Sequence, residues 1–211
     1  MFVKSIMIPT HLTIAVQETD TLKIALEKLE SHGIDGLPIL NGDLYVGVLT
    51  RFNIYENYFK SNLAKEDYLT QTLAKDIASH QNQYLLGKEL FEKTLLELKD
   101  FPLLAVVDEN RKFLGVVTRA DVLEQFESVF GTNRPGIRIT FTSVETEGRL
   151  ARLSEIAHNF RIHVISLVTF DETDKLVRRI VMKIEPSPHK DKFIQKLEQS
   201  GFRVLDIHEL G

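Results

Sequence analysis

The frame Gly-x-x-Thr-Arg-x-Asn/Asp occurs twice in this chain, as Gly47-Val48-Leu49-Thr50-Arg51-Phe52-Asn53 and as Gly115-Val116-Val117-Thr118-Arg119-Ala120-Asp121. The flanks repeat as well. Leu37-Pro38-Ile39-Leu40-Asn41 parallels Leu104-Ala105-Val106-Val107-Asp108, and Leu44-Tyr45-Val46 parallels Phe113-Leu114 with its flanks. Upstream, Val3-Lys4-Ser5-Ile6 parallels Ala74-Lys75-Asp76-Ile77. An internal repeat constrains a fold more than any local propensity, because each copy must bury the same faces. Two units make a duplicated module, not a solenoid.

In the second copy an apolar run, Phe113 to Val117, predicts a short buried strand. The pattern then changes to helical spacing over Val122, Leu123, Phe126, Val129 and Phe130. Thr118 or Asp121 therefore stands near a helix N-terminus. Unpaired backbone N–H groups at such an end attract phosphate, and a carboxylate beside them accepts sugar hydroxyls. The plainer reading is that Thr118 or Asp121 only caps the helix. Each copy supplies a hydroxyl (Thr50, Thr118), a cation (Arg51, Arg119) and a sugar acceptor (Asn53, Asp121). An ionised carboxylate only accepts, so Asp121 is expected to mark the tighter site and Asn53 the weaker.

Each copy resembles a CBS motif, and the two together resemble a CBS pair, or Bateman module. The Gly-h-h-Thr-x-x-Asp/Asn frame after a Leu-Pro-h-h-Asp-like strand carries the likeness, which covers roughly residues 1 to 130. The resemblance implies clefts for an adenine nucleotide or adenosyl ligand, with AMP, ADP, ATP, S-adenosylmethionine and NAD as the candidates. It also implies that groups near Leu37 and Pro38, and by similarity Leu104 and Ala105, border an adenine pocket. The second copy departs from the first. Ala105 replaces the strand proline, Phe101-Pro102 lies just upstream, and Ala78-Ser79-His80 stands where the first copy has Met7-Ile8-Pro9. The two base pockets are expected to differ.

A chain of 211 residues can bury one or two real cores. It is 43% hydrophobic and 27% charged, ordinary values for a globular protein. The net charge of −4 offers no basic field to nucleic acid. There are no cysteines, which excludes disulfides, thiolate metal sites and a cysteine nucleophile. The start, Met1-Phe2-Val3-Lys4-Ser5-Ile6, lacks the apolar region of a signal peptide. No apolar run approaches the ~20 residues that span a bilayer. A cytoplasmic location without a membrane partner is expected.

Along the chain, Leu12 to Val16 reads as a short strand, and Asp20 or Thr21 caps a helix to Ser31 with Leu22, Ala25, Leu26 and Leu29 on one face. Gly33 is its stop. Asn41-Gly42-Asp43 between apolar runs predicts a hairpin, and a helix follows from Phe52. The apolar residues Tyr58, Phe59, Leu63, Tyr68, Leu69 and Leu73 predict a packed helical connection between the repeats. The second repeat has a helix around Lys88 to Lys99. The expected segments are a first motif over 1–60, a linker over 61–73, a second motif over 74–130 and a last domain over 136–211.

Gly131-Thr132-Asn133-Arg134-Pro135-Gly136 is a turn-rich boundary, and no third copy follows it. Ile137, Ile139 and Phe141 alternate with Arg138, Thr140 and Thr142 as in a half-buried strand. Then come a helix with Leu150, Leu153, Ile156, Ala157 and Phe160 inward, a strand over His163 to Phe170, and a turn at Asp171-Glu172-Thr173-Asp174. A strand over Lys175 to Ile184, a helix with Phe193, Ile194 and Leu197, and a strand over Phe202 to Ile207 complete the order. This β-α-β-β-α-β order is the ferredoxin-like split. The segment resembles an ACT domain through Gly148-Arg149-Leu150-Ala151-Arg152-Leu153 and His163-Val164-Ile165-Ser166-Leu167. The likeness implies a candidate ligand turn at Glu147, Gly148, Arg149 and Leu150. The family often has Asp-x-Pro-Gly there, where this chain has Glu145-Thr146-Glu147-Gly148. Two carboxylates stabilise a helix N-terminus but repel an amino-acid carboxylate, so dimerisation is an equal expectation for this domain.

Catalytic and metal patterns are missing from the sequence. The seven histidines have no metal-binding spacing, and there is no Gly-x-Ser-x-Gly, Walker or Gly-x-Gly-x-x-Gly motif. The fold expectation is thus α/β (α+β), tandem CBS motifs followed by a ferredoxin-like βαββαβ ACT-like domain. The functional expectation is a non-catalytic sensor without a resident cofactor, self-associating as a homodimer and acting on a metabolic enzyme partner. The arrangement resembles the acetoin-utilisation (AcuB-like) CBS–ACT proteins of bacteria, which implies control of acetoin or related carbon metabolism. The rival from another class is a ligand-free interaction scaffold. An enzyme is the third reading.

Overall fold

The structure, a computed structural model, describes residues 3–144, 146–172 and 177–210. It divides into two compact units, Met1–Leu123 and Glu124–Gly211.

In the first unit, repeat one comprises β1 (Ile8–Pro9), β2 (Val16–Gln17), α1 (Leu22–Ser31), β3 (Gly36–Asn41), β4 (Leu44–Thr50) and α2 (Arg51–Lys60). After α3 (Lys65–Gln71), repeat two comprises β5 (Tyr84–Leu85), α4 (Phe91–Glu97), β6 (Leu103–Val107), β7 (Phe113–Thr118) and α5 (Arg119–Phe130). The unit boundary falls within α5. The four apolar residues expected on one face of α1 are all buried. The helix stops as expected at Gly33, which adopts φ 63° while Ile34 N–H returns to Leu29 O. The Asn41-Gly42 turn closes the β3–β4 hairpin, with Gly42 at φ 61°.

The sheets explain the glycine that opens each repeated frame. Strands β2-β3-β4 form one sheet and β1-β7-β6-β5 the other, so β1 leaves its own repeat and pairs with β7 of the second. The second repeat reciprocates, because Ser79 bridges Val48 of β4 through two backbone hydrogen bonds of 2.8 and 2.9 Å. At each crossing the visiting carbonyl sits over a glycine. A Cβ on Gly115 would lie 2.2 Å from Ile8 O, and one on Gly47 would lie 2.9 Å from Ser79 O. Both distances forbid a side chain without backbone movement.

Some local expectations are corrected. Leu12 to Val16 is not one strand: Thr10–Leu12 is a 3-10 turn and the paired strand is Val16–Gln17. The second-repeat helix is shorter than expected, Phe91–Glu97. In the linker Tyr68 and Leu69 are buried, whereas Phe59, at the end of α2, is 85% exposed. Tyr68 anchors the connection by packing its ring 5.4 Å from Tyr58 and donating to Ile54 O.

The second unit contains β8 (Gly136–Val144), α6 (Arg149–Asn159), β9 (Val164–Glu172), β10 (Val177–Ile184), α7 (Lys190–Gln199) and β11 (Arg203–Leu210). Its antiparallel sheet has the order β11-β8-β10-β9, so the chain follows the expected β-α-β-β-α-β path. Alternate residues Ile137, Ile139 and Phe141 pack with Leu153 and Ile156 of α6 and Phe193 and Leu197 of α7. Of the expected turn at Asp171-Glu172-Thr173-Asp174, the last two residues lie outside the described residues, and β9 continues to Glu172. The unit begins before residue 136 because the end of α5 packs into it. Phe130 stacks on Phe170 at 6.3 Å, Ser166 Oγ donates to Phe130 O, and the buried Lys183 ammonium donates to Gly131 O at 2.8 Å. A cation on the last carbonyls of a helix is favourable. Among the described residues, no helix is long and apolar enough to cross a membrane.

Candidate functional site

Each repeated frame folds into a strand–helix corner. Thr50 ends β4 and caps α2: its hydroxyl accepts from Asn53 N–H at 3.1 Å, while Asn53 Oδ1 accepts from Thr50 N–H and Thr50 Oγ1–H at 3.3 and 2.7 Å. Thr118 ends β7 and does the same for α5. Its hydroxyl accepts from Asp121 N–H at 3.2 Å, and Asp121 Oδ2 accepts from Thr118 N–H and Oγ1–H at 2.8 and 2.6 Å. Both are reciprocal capping boxes. The capping reading of these residues therefore holds, and any ligand must use what capping leaves free.

The two arginines do parallel work. Arg51 donates from Nε to Ile34 O and from Nη2 to Leu29 O, at the C-terminal end of α1. Arg119 donates from Nε to Leu98 O, which follows α4. Each guanidinium thus ties the start of one helix to the end of the preceding one. This is a structural duty that sequence reading assigned only to phosphate.

Both corners border one cleft of about 1080 Å³ within the first unit. Thr50, Arg51, Asn53, Thr118 and Arg119 line it, with Asp121 hydrogen-bonded to Thr118 beside it. Its volume suits a nucleotide-sized molecule. Leu37, Pro38, Leu104 and Ala105 are buried in β3 and β6 and do not line the cleft. They lie within strands that are buried on both faces, and the wall is made by the residues just before them, Gly36 and Phe101 to Leu103. A Cβ on Gly36 would come within 3.1 Å of Pro102 Cγ, so this wall is close-packed.

His80 is the wall residue that sequence reading noted as a departure without giving it a role. Its ring stacks on Phe101 with centroids 3.5 Å apart, and its backbone is left-handed at φ 54°. Burial pushes the imidazole below its ordinary pKa, and Nδ1 has no hydrogen-bond partner among the described residues. Tyr45 Oη, kept protonated by burial, lies 2.8 Å from His80 O and holds the loop in place.

The second unit has a smaller pocket of about 260 Å³ at the start of α6. Glu147, Gly148, Arg149 and Leu150 line it together with Ser143 and Arg178. Gly148 caps α6 in the left-handed conformation, φ 78°, and no acidic residue lies in the first turn of the helix. Glu147 therefore stands outside the turn it was expected to stabilise, and Glu145 lies outside the described residues. Each nitrogen of Arg149 makes one hydrogen bond, to Ser143 Oγ, Ser200 O and Gly201 O, and the guanidinium lies 4.3 Å over the Phe202 ring. It braces α6 against the end of α7.

The CBS domain model matches residues 3–60 and 75–128, together more than half of the chain. The chain belongs to the CBS domain family. Its fold is accordingly a mixed α/β fold with tandem CBS motifs, and the two corners above are the strand–helix junctions of those motifs. An inosine-5'-monophosphate dehydrogenase from Korarchaeum cryptofilum (strain OPF8) is 26% identical over 207 residues, covering 90% of this chain and 41% of that protein. The chain thus spans less than half of that relative's length. Among solved CBS structures, Listeria monocytogenes CbpB in complex with c-di-AMP is 25% identical with a TM-score of 0.51, covering 57% of this chain and 91% of that one. CBSX2 in complex with AMP is 23% identical with a TM-score of 0.50, covering 63% of this chain and 98% of that one.

Proposed function

We propose that the chain is a non-catalytic regulatory protein that binds an adenine nucleotide or adenosyl ligand in the cleft between its CBS motifs. The observation that carries this reading is the convergence of two Thr-Arg-x-Asx corners on one nucleotide-sized cleft. The Listeria CbpB complex with c-di-AMP and the CBSX2 complex with AMP support it, because related folds take ligands of this class. A ligand there acts by population shift: it favours whichever arrangement of the two repeats binds it best, and a partner reads that arrangement. The βαββαβ unit serves as an ACT-like self-association domain in this reading, giving a cytoplasmic homodimer that acts on a metabolic enzyme. Control of acetoin or related carbon metabolism is the pathway proposed.

One observation favours the ligand-free scaffold instead: both Thr–Asx pairs are already satisfied as helix caps. Thermal unfolding with AMP, ADP, ATP, S-adenosylmethionine and NAD separates the two. A ligand at ~100 times its dissociation constant adds about 2.7 kcal/mol. That is a rise of several degrees for a chain of this size. The sensor reading expects such a rise with at least one of these ligands and its loss in Asp121→Ala. The absence of any rise favours the scaffold.

A further inference from the structure

Among the described residues, one long sheet edge is left open to another strand. In the first unit β1, β2 and β5 are two residues long, and β4 is bridged by Ser79 at Val48 and by Lys112 at Leu44. In the second unit the edges are β11 and β9. β11 carries Arg203, Asp206, His208 and Glu209 among its eight residues, and its pairing with β8 is broken between Val204 and Asp206. Shortness, charge and bulging are the devices that keep an edge from pairing with another chain. β9 has neither a charge nor a proline from Val164 to Phe170, and after one shift at its start its pairing with β10 is regular from Ser166 to Glu172. Its outer row of backbone N–H and C=O groups has no partner strand among the described residues.

The flanks of this edge are apolar. Leu167 pairs with Met182 and Val164 with Ile184, and paired residues share a face of the sheet. Met182 and Ile184 are buried in the core, whereas Leu167 and Val164 are 41% and 39% exposed. The layer that buries β10 thus stops short of β9 on this face. Phe170, on the opposite face, is 42% exposed.

The charges at the two ends say which strand fits. Arg161 and His163 precede β9 and are exposed, and Asp171 lies near its end. Asp171 also pairs with Arg178 at 3.1 Å but keeps 67% of its side chain exposed. An antiparallel copy of the same strand sets the basic end of each against the acidic end of the other, whereas a parallel copy sets like against like.

We propose that β9 is the self-association edge of this chain: it pairs antiparallel with β9 of a second copy and continues the four-stranded sheet into the partner's. This rests on the homodimer reading above and assigns it a surface.

Sedimentation of the full chain over a concentration series, with amide hydrogen exchange on the same samples, tests it. The expected result is a dimer whose formation slows exchange in Val164 to Glu172. Leu167→Lys puts a charge on an exposed edge position. It is expected to raise the dimer dissociation constant about tenfold or more, with thermal unfolding of the dilute chain unchanged. Ile207→Lys makes the same change on β11 and is expected to leave dimerisation as it was. Slowed exchange confined to other segments, such as β11 or α2, overturns the β9 edge and leaves the homodimer reading in place. So does a folded Leu167→Lys chain that dimerises like wild type, or an equal weakening by Ile207→Lys. The exchange pattern needs no variant, so it decides the matter even where Leu167→Lys fails to fold. A wild-type chain that stays monomeric across the series overturns the homodimer reading, and this proposal falls with it.

Discussion

Asn53 and Asp121 stand at the same position of the two repeats, and both cap a helix. Asp121→Ala therefore removes the acceptor of Thr118 N–H and Oγ1–H. The expected cost is about 1 kcal/mol of stability, measured by urea unfolding without ligand. His80 supplies a pH test. Its folded pKa lies below the ordinary 6.5 because burial disfavours the imidazolium. As pH falls below about 6.5 the unfolded chain takes up the proton first, so stability is lost between that value and the lower folded pKa. His80→Asn, which tolerates the left-handed backbone, is expected to lose less stability than wild type between pH 7.5 and 5.5. An equal loss in both would mean that His80 does not titrate in this way. At this scale the sequence named the capping threonines and their Asx partners, because the spacing alone places them at N-cap and N3. It could not say that the Ser79 hydroxyl comes within 3.1 Å of Asn53 Oδ1, since nothing local links residues in different repeats.

At the scale of elements, the glycine of each frame has a specific duty: the other repeat's leading segment crosses over it. Gly115→Ala would put a methyl group 2.2 Å from Ile8 O, and Gly47→Ala would put one 2.9 Å from Ser79 O. Overpacking of this kind costs about 1–3 kcal/mol, and Gly115→Ala is expected to lie at the upper end or beyond. Thermal unfolding checks the order, and a harmless Gly115→Ala would contradict the β1–β7 pairing. The helix α1 and the β3–β4 hairpin were legible because amphipathic spacing, Gly33 and Asn41-Gly42 are local signals. The exchange of β1 was not, because a two-residue strand carries no period. The cleft meets β3 and β6 at their first residues, Gly36 and Leu103, while Leu37 and Ala105 lie farther along strands that are buried on both faces, and no local signal marks where along a strand a cleft opens. Phe59 illustrates the converse: apolar character alone does not bury a residue, and this one is exposed at the end of α2.

The whole molecule holds separate cores, one centred on Ile139, Phe141, Phe193 and Leu197 and others within Met1–Leu123. The βαββαβ path was readable from alternation and helical spacing. The start of its unit was not, because the stacking of Phe130 on Phe170 and the Lys183–Gly131 bond join residues far apart in sequence. In calorimetry an adenine ligand is expected to raise the transition of the first unit and leave that of the second in place; an equal rise in both would place binding energy outside the cleft. The central claim is that the cleft bordered by both Thr-Arg-x-Asx corners binds an adenine nucleotide. A crystal structure of the chain grown with saturating AMP tests it most directly. The account predicts AMP in that cleft, against residues of the repeated frames. A cleft without AMP under those conditions would contradict it.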